Sequence, residues 1–264
     1  MAADNFRLTK EAALKYDSHS VPAMFGPLAQ ATMEKVNLRN GAHIVDIACG
    51  TGALTREIAK TLSGKGRIVG VDLNETMIEV ARANQPESDH TFEWHAADVC
   101  NIPYKDGSFD YAFIQQGLQF FPDKPAALTE VHRILRDQGQ LFLTCWRAVS
   151  PFNGALADAL ERHVGPDAAT KAKAPFSFRD GDLISNLLTD AGFQISRQDA
   201  LVLERRFEDL RAQIMALPIE VDLRKAGDRI AEAVVAEVAA KLAQYDRSGV
   251  LHVPQEAHLF VAET

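Results

Sequence analysis

The residues best placed to do chemistry lie at the ends of short apolar runs. His43-Ile44-Val45-Asp46-Ile47 leads into Ala48-Cys49-Gly50-Thr51-Gly52, the pattern of a strand entering a glycine turn and then a helix. Glycine tolerates positive φ and lets backbone approach a ligand with no Cβ in the way. The next run, Ile68-Val69-Gly70-Val71, ends on Asp72, 20 residues after Gly52. A carboxylate at that strand tip can accept two hydrogen bonds from a ribose diol. A third run, Phe92–Ala97, leads to Asp98-Val99. There the acid can accept from an adenine amine while a backbone N–H reaches a ring nitrogen. Asp46, Asp72 and Asp98 are thus expected along the carboxyl edge of three successive strands, where open α/β sheets bind ligands.

The charge of this edge selects the ligand. No third glycine follows Gly50-Thr51-Gly52, which continues as Ala53-Leu54-Thr55, so the dinucleotide fingerprint is incomplete. Asp46, just before the turn, is unfavourable to a pyrophosphate and favourable to a cation. S-adenosylmethionine carries a sulfonium, an ammonium and a ribose diol, with no phosphate. A nicotinamide or flavin oxidoreductase is the weaker alternative. A protein that holds the cofactor without turnover, or serves a partner, stays open too, because fold and ligand do not fix chemistry. Taken singly, the glycines could serve only a tight turn and Asp98 only a helix N-cap.

The elements that must position these residues alternate. Strand candidates at His43–Ile47, Arg67–Val71, Phe92–Ala96, Tyr111–Ile114 and Leu141–Trp146 are separated by helical stretches near Ala53–Leu62, Glu75–Ala83 and Pro125–Arg136. Apolar strands alternating with helices predict a parallel sheet covered on both faces. Before this pattern, the first 40 residues read as helical, with Pro22 opening a second helix. Beyond it, a helix at Asp180–Ala191 is followed by long strands at Phe193–Phe207 and Val250–Val261. Between those strands Ile230, Val234, Val238, Leu242 and Tyr245 mark one face of a helix, read as packing of a helical insertion.

Composition excludes several classes. The 264 residues are 47% hydrophobic and 24% charged, an ordinary soluble balance. With 28 basic against 36 acidic residues, the net charge of -8 gives no broad attraction to nucleic acid or anionic membranes. No apolar run approaches membrane-spanning length, and Met1-Ala2-Ala3-Asp4-Asn5 lacks a leader pattern. Cys49, Cys100 and Cys145 are scattered, with no metal-ligand spacing, as in a cytoplasmic protein with reduced thiols. No metal is expected.

The motifs resemble those of class I S-adenosylmethionine-dependent methyltransferases, nearest to the small-molecule branch that includes quinone-biosynthesis C-methyltransferases. Val45–Gly52 resembles the first motif, with Ala48 where a glycine is usual; Val71–Met77 resembles the second and Ala97-Asp98-Val99 the third. Phe109–Phe113, continuing through Gln115-Gln116-Gly117-Leu118-Gln119-Phe120, resembles the fourth, and Glu130–Arg136 with Gly139 the helix and turn after it. The match covers residues 40–146 well and the rest loosely. It implies a Rossmann-like doubly wound α/β fold: a mostly parallel seven-stranded sheet with an antiparallel last strand. It also implies an N-terminal helical lid at 1–40 and a methyltransferase domain at 41–264 with helical insertions near 148–180 and 208–248. Gly50, Gly52 and Gln115 would border the methionine moiety, and Asp46, Ala48 and Thr51 would belong to the same cofactor site. Asp72 would hold the ribose, Leu73 and Met77 would flank the nucleoside, Asp98 and Val99 would meet adenine, and Tyr16 would contact the cofactor from the lid. S-adenosylhomocysteine would be the product.

Methyl transfer needs nucleophile, carbon and sulfur held in line, about 3 Å apart, in a dry pocket. A general base is required only when the acceptor must lose a proton. No catalytic dyad stands out. Gln116 and Gln119 could orient an acceptor oxygen or nitrogen, or brace their loop; His19 lies between the N-terminal helices and could reach the site or serve structure alone. Arg147, after the fifth strand, could meet an acidic acceptor or solvent. A helical roof suits a small, partly apolar acceptor rather than a macromolecule. The acceptor atom (carbon, oxygen or nitrogen) and the oligomeric state stay open at this stage.

Overall fold

The computed structural model describes residues 9–264. Residues 1–8, and with them the Met1–Asn5 stretch inspected for a leader, lie outside the described residues. The strands are β1 His43–Ile47, β2 Arg67–Asp72, β3 Thr91–Ala96, β4 Phe109–Gln115, β5 Leu135–Trp146, β6 Gln194–Phe207, β7 Asp246–Arg247 and β8 Val250–Glu263. They form one sheet in the order β3-β2-β1-β4-β5-β8-β6, with the two-residue β7 pairing β8 off that path. The first five strands pair in parallel, and β8 runs antiparallel to both its neighbours. This is the expected doubly wound sheet with an antiparallel last strand.

Alternation along the strands explains why both faces are covered. On one face Val45, Ile47, Val69, Val71, Ile114 and Leu143 pack with helices α5 Lys124–Ile134 and α8 Gly181–Asp190. On the other, Ile44, Ile68, Phe113 and Phe142 meet α2 Gly26–Met33 and α3 Ala53–Thr61. Both sets are buried, so the strands read as continuous apolar runs. At the amino edge, buried Asp110 accepts from the His43 N–H at 2.8 Å and pairs with Arg39 and Arg136. Those bonds correct one predicted boundary: the helix expected through Arg136 stops at Ile134, and β5 begins at Leu135.

A second correction concerns Pro22. It does not open a helix. A π-helix at Tyr16–Phe25 follows α1 Lys10–Lys15 and runs through the proline, and α2 starts at Gly26-Pro27. The wider π turn is closed by the Gly26 N–H on the Val21 carbonyl. A Cβ at Gly26 would stand 3.1 Å from that oxygen, so glycine suits the junction.

Beyond the carboxyl edge a second core forms. Trp146 at the end of β5 pairs Ala257, but β6 and β8 pair onward to Phe207 and Leu251. This ribbon carries Phe207 and Val253 into a helical cluster built on α6 Pro151–His163 and α11 Asp228–Leu242. Most of the predicted stripe on the latter is seen: Val234, Val238 and Leu242 are buried in this cluster and Tyr245 packs against it, whereas Ile230 is only half-buried. No helix among the described residues is long and apolar enough to cross a membrane.

One contact fixes the β2–β3 pairing. Gly70 faces Trp94 in register, and a Cβ at Gly70 would fall 2.4 Å from the indole. Gly70→Ala is therefore expected to destabilise the protein by about 1–3 kcal/mol, the scale of core overpacking. Urea unfolding of the two proteins measures this, and an unchanged midpoint would show that the indole moves aside freely.

Candidate cofactor and acceptor site

The glycine turn is held by backbone and by one carboxylate. Ala48, Gly50 and Gly52 all adopt positive φ, at 54°, 55° and 79°. Asp72 accepts from the Gly50 N–H through Oδ2 and from the Asn74 N–H through Oδ1, both at 2.9 Å. It thereby clamps the turn after β1 to the tip of β2. Ala48 takes the left-handed backbone of the glycine it replaces, at a strain of roughly 1–2 kcal/mol. Its Cβ occupies space that a side chain at Gly117 would need, 2.7 Å from the position of a Cβ there.

The edge is negative and dry. Asp46 is 1% exposed and accepts from the Thr55 hydroxyl at 2.6 Å. Among the described residues neither Asp46 nor Asp72 forms an ion pair, the nearest basic influence on Asp46 being Arg56. Burial pushes Asp46 up to about 7 and raises Asp72 in spite of its backbone hydrogen bonds. Tyr16 lies across the turn, its ring edge and hydroxyl 3.9 Å from where a Gly50 Cβ would be. Burial, and then Asp72, Asp17 and Asp46, hold its phenol protonated. Cys49 is likewise kept a thiol by burial and these acids, so it is no nucleophile.

The remaining cofactor-side positions spread along the same edge. Leu73 is exposed, whereas Met77 is buried with Ala13 and Val80 against Tyr16. Asp98 is exposed and accepts from the Cys100 N–H at 2.9 Å; this is a turn, and no helix starts there. Val99 is buried in the core on the α5 side.

Past β4 and β5 the polar groups converge unsatisfied. Gln116 is buried with φ of 56°, and neither its Oε1 nor its Nε2 has a partner. Its N–H reaches the Thr144 carbonyl at 3.0 Å, while the Thr144 hydroxyl is buried without a partner. Gln115 Oε1, Gln119 Oε1 and the Thr51 hydroxyl are also buried and unpaired. An unsatisfied buried polar group costs about 1–3 kcal/mol, and strain in a non-glycine left-handed residue adds to it. Such a cluster is what a site looks like before its ligand arrives. Aromatic rings lie along it: Tyr16 to Phe25 at 5.1 Å, Phe25 to Trp146 at 6.3 Å, and Trp146 to Phe176 at 5.8 Å. The Gln115 amide donates to the Phe25 carbonyl at 3.1 Å, joining the end of β4 to the π-helix.

Other candidates are placed elsewhere. His19 is half-buried and bonds locally, to Ser18 Oγ at 2.8 Å and the Lys15 carbonyl at 3.3 Å. Arg147 pairs with Glu256 at 3.4 Å on the surface. Asp17, not singled out from sequence, links the π-helix to Arg56 at 3.3 Å and to Asn84 at 2.9 Å. Thr144 and Phe25 also escaped the sequence reading, since only the β4–β5 register and the path of the π-helix bring them to the glutamines. No cluster of His, Cys, Asp and Glu able to hold a metal occurs among the described residues.

Known proteins share this architecture. Residues 45–143 match the methyltransferase domain family. A demethylmenaquinone methyltransferase from Staphylococcus saprophyticus is 27% identical over 173 residues, covering 61% of this chain and 74% of the relative. Among solved structures, a SAM-dependent methyltransferase from Aquifex aeolicus superposes with TM-score 0.54 at 18% identity, over 75% of this chain and 94% of that one. Haemonchus contortus phosphoethanolamine N-methyltransferase 2, solved with phosphomonomethylethanolamine and S-adenosylhomocysteine, gives 0.59 at 18% identity, over 100% of this chain and 59% of that one. Residues 45–143 thus carry a methyltransferase domain, with S-adenosylmethionine as its cofactor.

The residues fit that cofactor: one buried and one half-buried acid without ion pairs call for a cation, and the same acids oppose a pyrophosphate. A pH dependence follows. With Asp46 at about 7 in the free protein, against an ordinary value near 3.8, the folded chain binds a proton that the unfolded chain has released. This contribution to stability is complete below about pH 4 and is lost as pH rises through 7. A cationic ligand favours the ionised acid, so S-adenosylmethionine should bind more tightly from pH 5.5 to 7.5, by at most about tenfold per unit, with proton release. Calorimetry in buffers of different ionisation enthalpy measures both. Asp46→Asn should flatten the profile; an unchanged profile in that variant would remove Asp46 as its source.

Proposed function

We propose that this chain transfers the methyl group of S-adenosylmethionine to a small, partly apolar ring acceptor in the cytoplasm. The observation that carries the reading is the set of buried, unpaired polar atoms on Gln115, Gln116, Gln119 and Thr144 beside the rings of Phe25 and Trp146. Likeness to a demethylmenaquinone methyltransferase supports a ring acceptor, and the net charge of -8 argues against nucleic acid.

When bound, S-adenosylmethionine supplies an electrophilic methyl on a sulfonium, open to in-line displacement. The chain's own residues bind, orient and exclude water. Gly50, Gly52 and Ala48 keep the turn open to the methionine moiety, with Thr51 Oγ1 and Gln115 Oε1 as free polar contacts. Asp72 retains lone pairs for the ribose diol beyond its two backbone bonds. Leu73 and Met77 flank the nucleoside, and Asp98 and Val99 meet adenine. Asp46 offsets the cationic charge. Gln116 and Gln119 orient the acceptor by its polar atom, while the aromatic wall keeps the path dry. His19 takes no part in the chemistry.

Of the lid expected at residues 1–40, the described residues 9–40 act as one, with Tyr16 over the turn and Asp17 latched to Arg56 and Asn84. Asp17→Ala is expected to speed S-adenosylhomocysteine dissociation by roughly threefold or more, given the energy of half-buried charged hydrogen bonds. Stopped-flow displacement measures it, and equal rates would mean that this latch does not gate exchange.

The reading is tested first by mass spectrometry of small molecules released from the purified chain, followed by calorimetry with S-adenosylmethionine and S-adenosylhomocysteine. Asp72→Ala should weaken binding by about 1.5–3 kcal/mol, and a folded variant with wild-type affinity would take Asp72 out of the site. Gln116→Ala should lower kcat/KM for any acceptor found in a small-molecule panel while leaving cofactor affinity within about twofold. Release of a nicotinamide or flavin would overturn the reading altogether.

A further inference from the structure

Arg205 is buried, at 4% exposure, yet among the described residues it forms no ion pair. Its Nη1 donates to Asn153 Oδ1 at 3.0 Å, and Asn153 is in turn held by the Ser150 hydroxyl at 2.9 Å. Its guanidinium carbon lies 4.6 Å from the ring centroid of Phe152 and 5.8 Å from that of Phe207. Its Nε has no partner. Desolvation is the one influence on its protonation, and it pulls the group down to about 10. A buried cation without a counter-charge is costly, and replacing it with a well-packed apolar chain of similar volume is often neutral or stabilising. Two ring faces and one asparagine hold this cation in place without neutralising it.

Its position lies on the acceptor side. Leu201, Leu203, Arg205 and Phe207 share one face of β6 by alternation and are all buried. Leu201 and Leu203 pack in the cluster that contains Phe25, Trp146 and Phe176, whereas Phe207 packs with α6 and α11. Arg205 therefore sits at the seam between the aromatic wall of the site and the helices above it. On β8 the same face carries Gln255, opposite Leu203 and diagonal to Arg205. Gln255 is 1% exposed, and its Oε1 also lacks a partner. The seam thus holds a second pair of unsatisfied polar groups, of opposite character to the acidic cofactor edge.

We infer that Arg205 is a specificity-determining residue that binds a carboxylate on the methyl acceptor, with Gln255 accepting from a hydroxyl on the same ring. The inference rests on the proposed small-molecule methyltransferase reading and narrows its substrate class to aromatic hydroxy acids. Arginine's planar fork matches a carboxylate, and Nε is the donor left free to complete such a contact. The rings of Trp146 and Phe176 on one side of the seam, and of Phe152 and Phe207 on the other, suit an aromatic acceptor. The sign of the charge also fits: Asp46 and Asp72 repel an acidic acceptor, and a buried cation at the far end of the site offsets that repulsion while fixing which end of the acceptor faces the turn.

The test uses the full chain loaded with S-adenosylhomocysteine and matched probes: 2-hydroxybenzoate against 2-hydroxybenzamide, and 1-hydroxy-2-naphthoate against its amide. Calorimetry should show at least one acid binding roughly tenfold or more tightly than its amide, the scale of a charge-assisted hydrogen bond. Arg205→Met should remove that preference while keeping S-adenosylhomocysteine affinity, with an unchanged or higher Tm. A purely structural arginine would instead lower Tm and leave the preference intact. Should Arg205→Met not fold, Arg205→Lys carries the comparison, because it keeps the charge and loses the fork: acid affinity falls and amide affinity does not. Acids and amides bound alike, no probe bound at all, or an acid preference that survives in the variant that folds would each overturn the inference. Loss of S-adenosylhomocysteine binding by the unaltered chain would overturn the cofactor reading instead, so the two failures are separable.

Discussion

Asp46 is a buried carboxylate and Asp72 a half-buried one, both set against one glycine turn, and among the described residues neither has an ion-pair partner. Parallel strands bring their carboxyl ends to one edge, so acids at successive strand tips must converge. The protein accommodates them with donors rather than cations: the Thr55 hydroxyl for Asp46, and backbone N–H groups of Gly50 and Asn74 for Asp72. The Gly50 donor is presented by a turn that takes left-handed backbone, which explains the glycines at 50 and 52. Helix α3 follows directly and carries Thr55, so turn, helix start and acid form one local unit.

The rest of the site is graded away from that negative edge. Next come neutral amides and hydroxyls on Gln115, Gln116, Gln119 and Thr144, then the rings of Phe25, Trp146 and Phe176, and finally the cation Arg205. The bands draw on distant parts of the chain: the tips of β1 and β2, the ends of β4 and β5, the π-helix with the turn before α8, and the β6–β8 ribbon.

Much of this was legible in the sequence, for a physical reason. Strands β1, β2 and β4 have apolar centres because both faces are covered, and glycine and acid mark where β1 and β2 end. Those signals are local, and so were the positions of Asp46, Gly50, Asp72 and Asp98. What could not be read depended on contacts between distant segments. Thr144 reaches Gln116 only through the register of β4 and β5. Pro22 reads as a helix opener by its chemistry, but the π-helix absorbs it because the turn closes on Gly26 instead. Arg205 left a trace that went unused: in Leu201-Val202-Leu203-Glu204-Arg205-Arg206-Phe207 the alternation puts an arginine on the inward parity. The burial of that face was invisible, because it is supplied by helices far along the chain.

The contact between Ala48 and Gly117 has an evolutionary corollary. Two positions 69 residues apart compete for one methyl-sized volume: the Cβ of Ala48 fills the place where any side chain at 117 would begin, 2.7 Å away. A chain with glycine at 48 is released from this exclusion, and a side chain at 117 would then meet Ile114 at 3.2 Å and Phe121 at 3.4 Å instead. A chain that keeps alanine at 48 must keep glycine at 117. The order of changes along a lineage is therefore restricted: substitution at 117 is open only after 48 has become glycine, and return to alanine is closed once 117 has acquired a side chain.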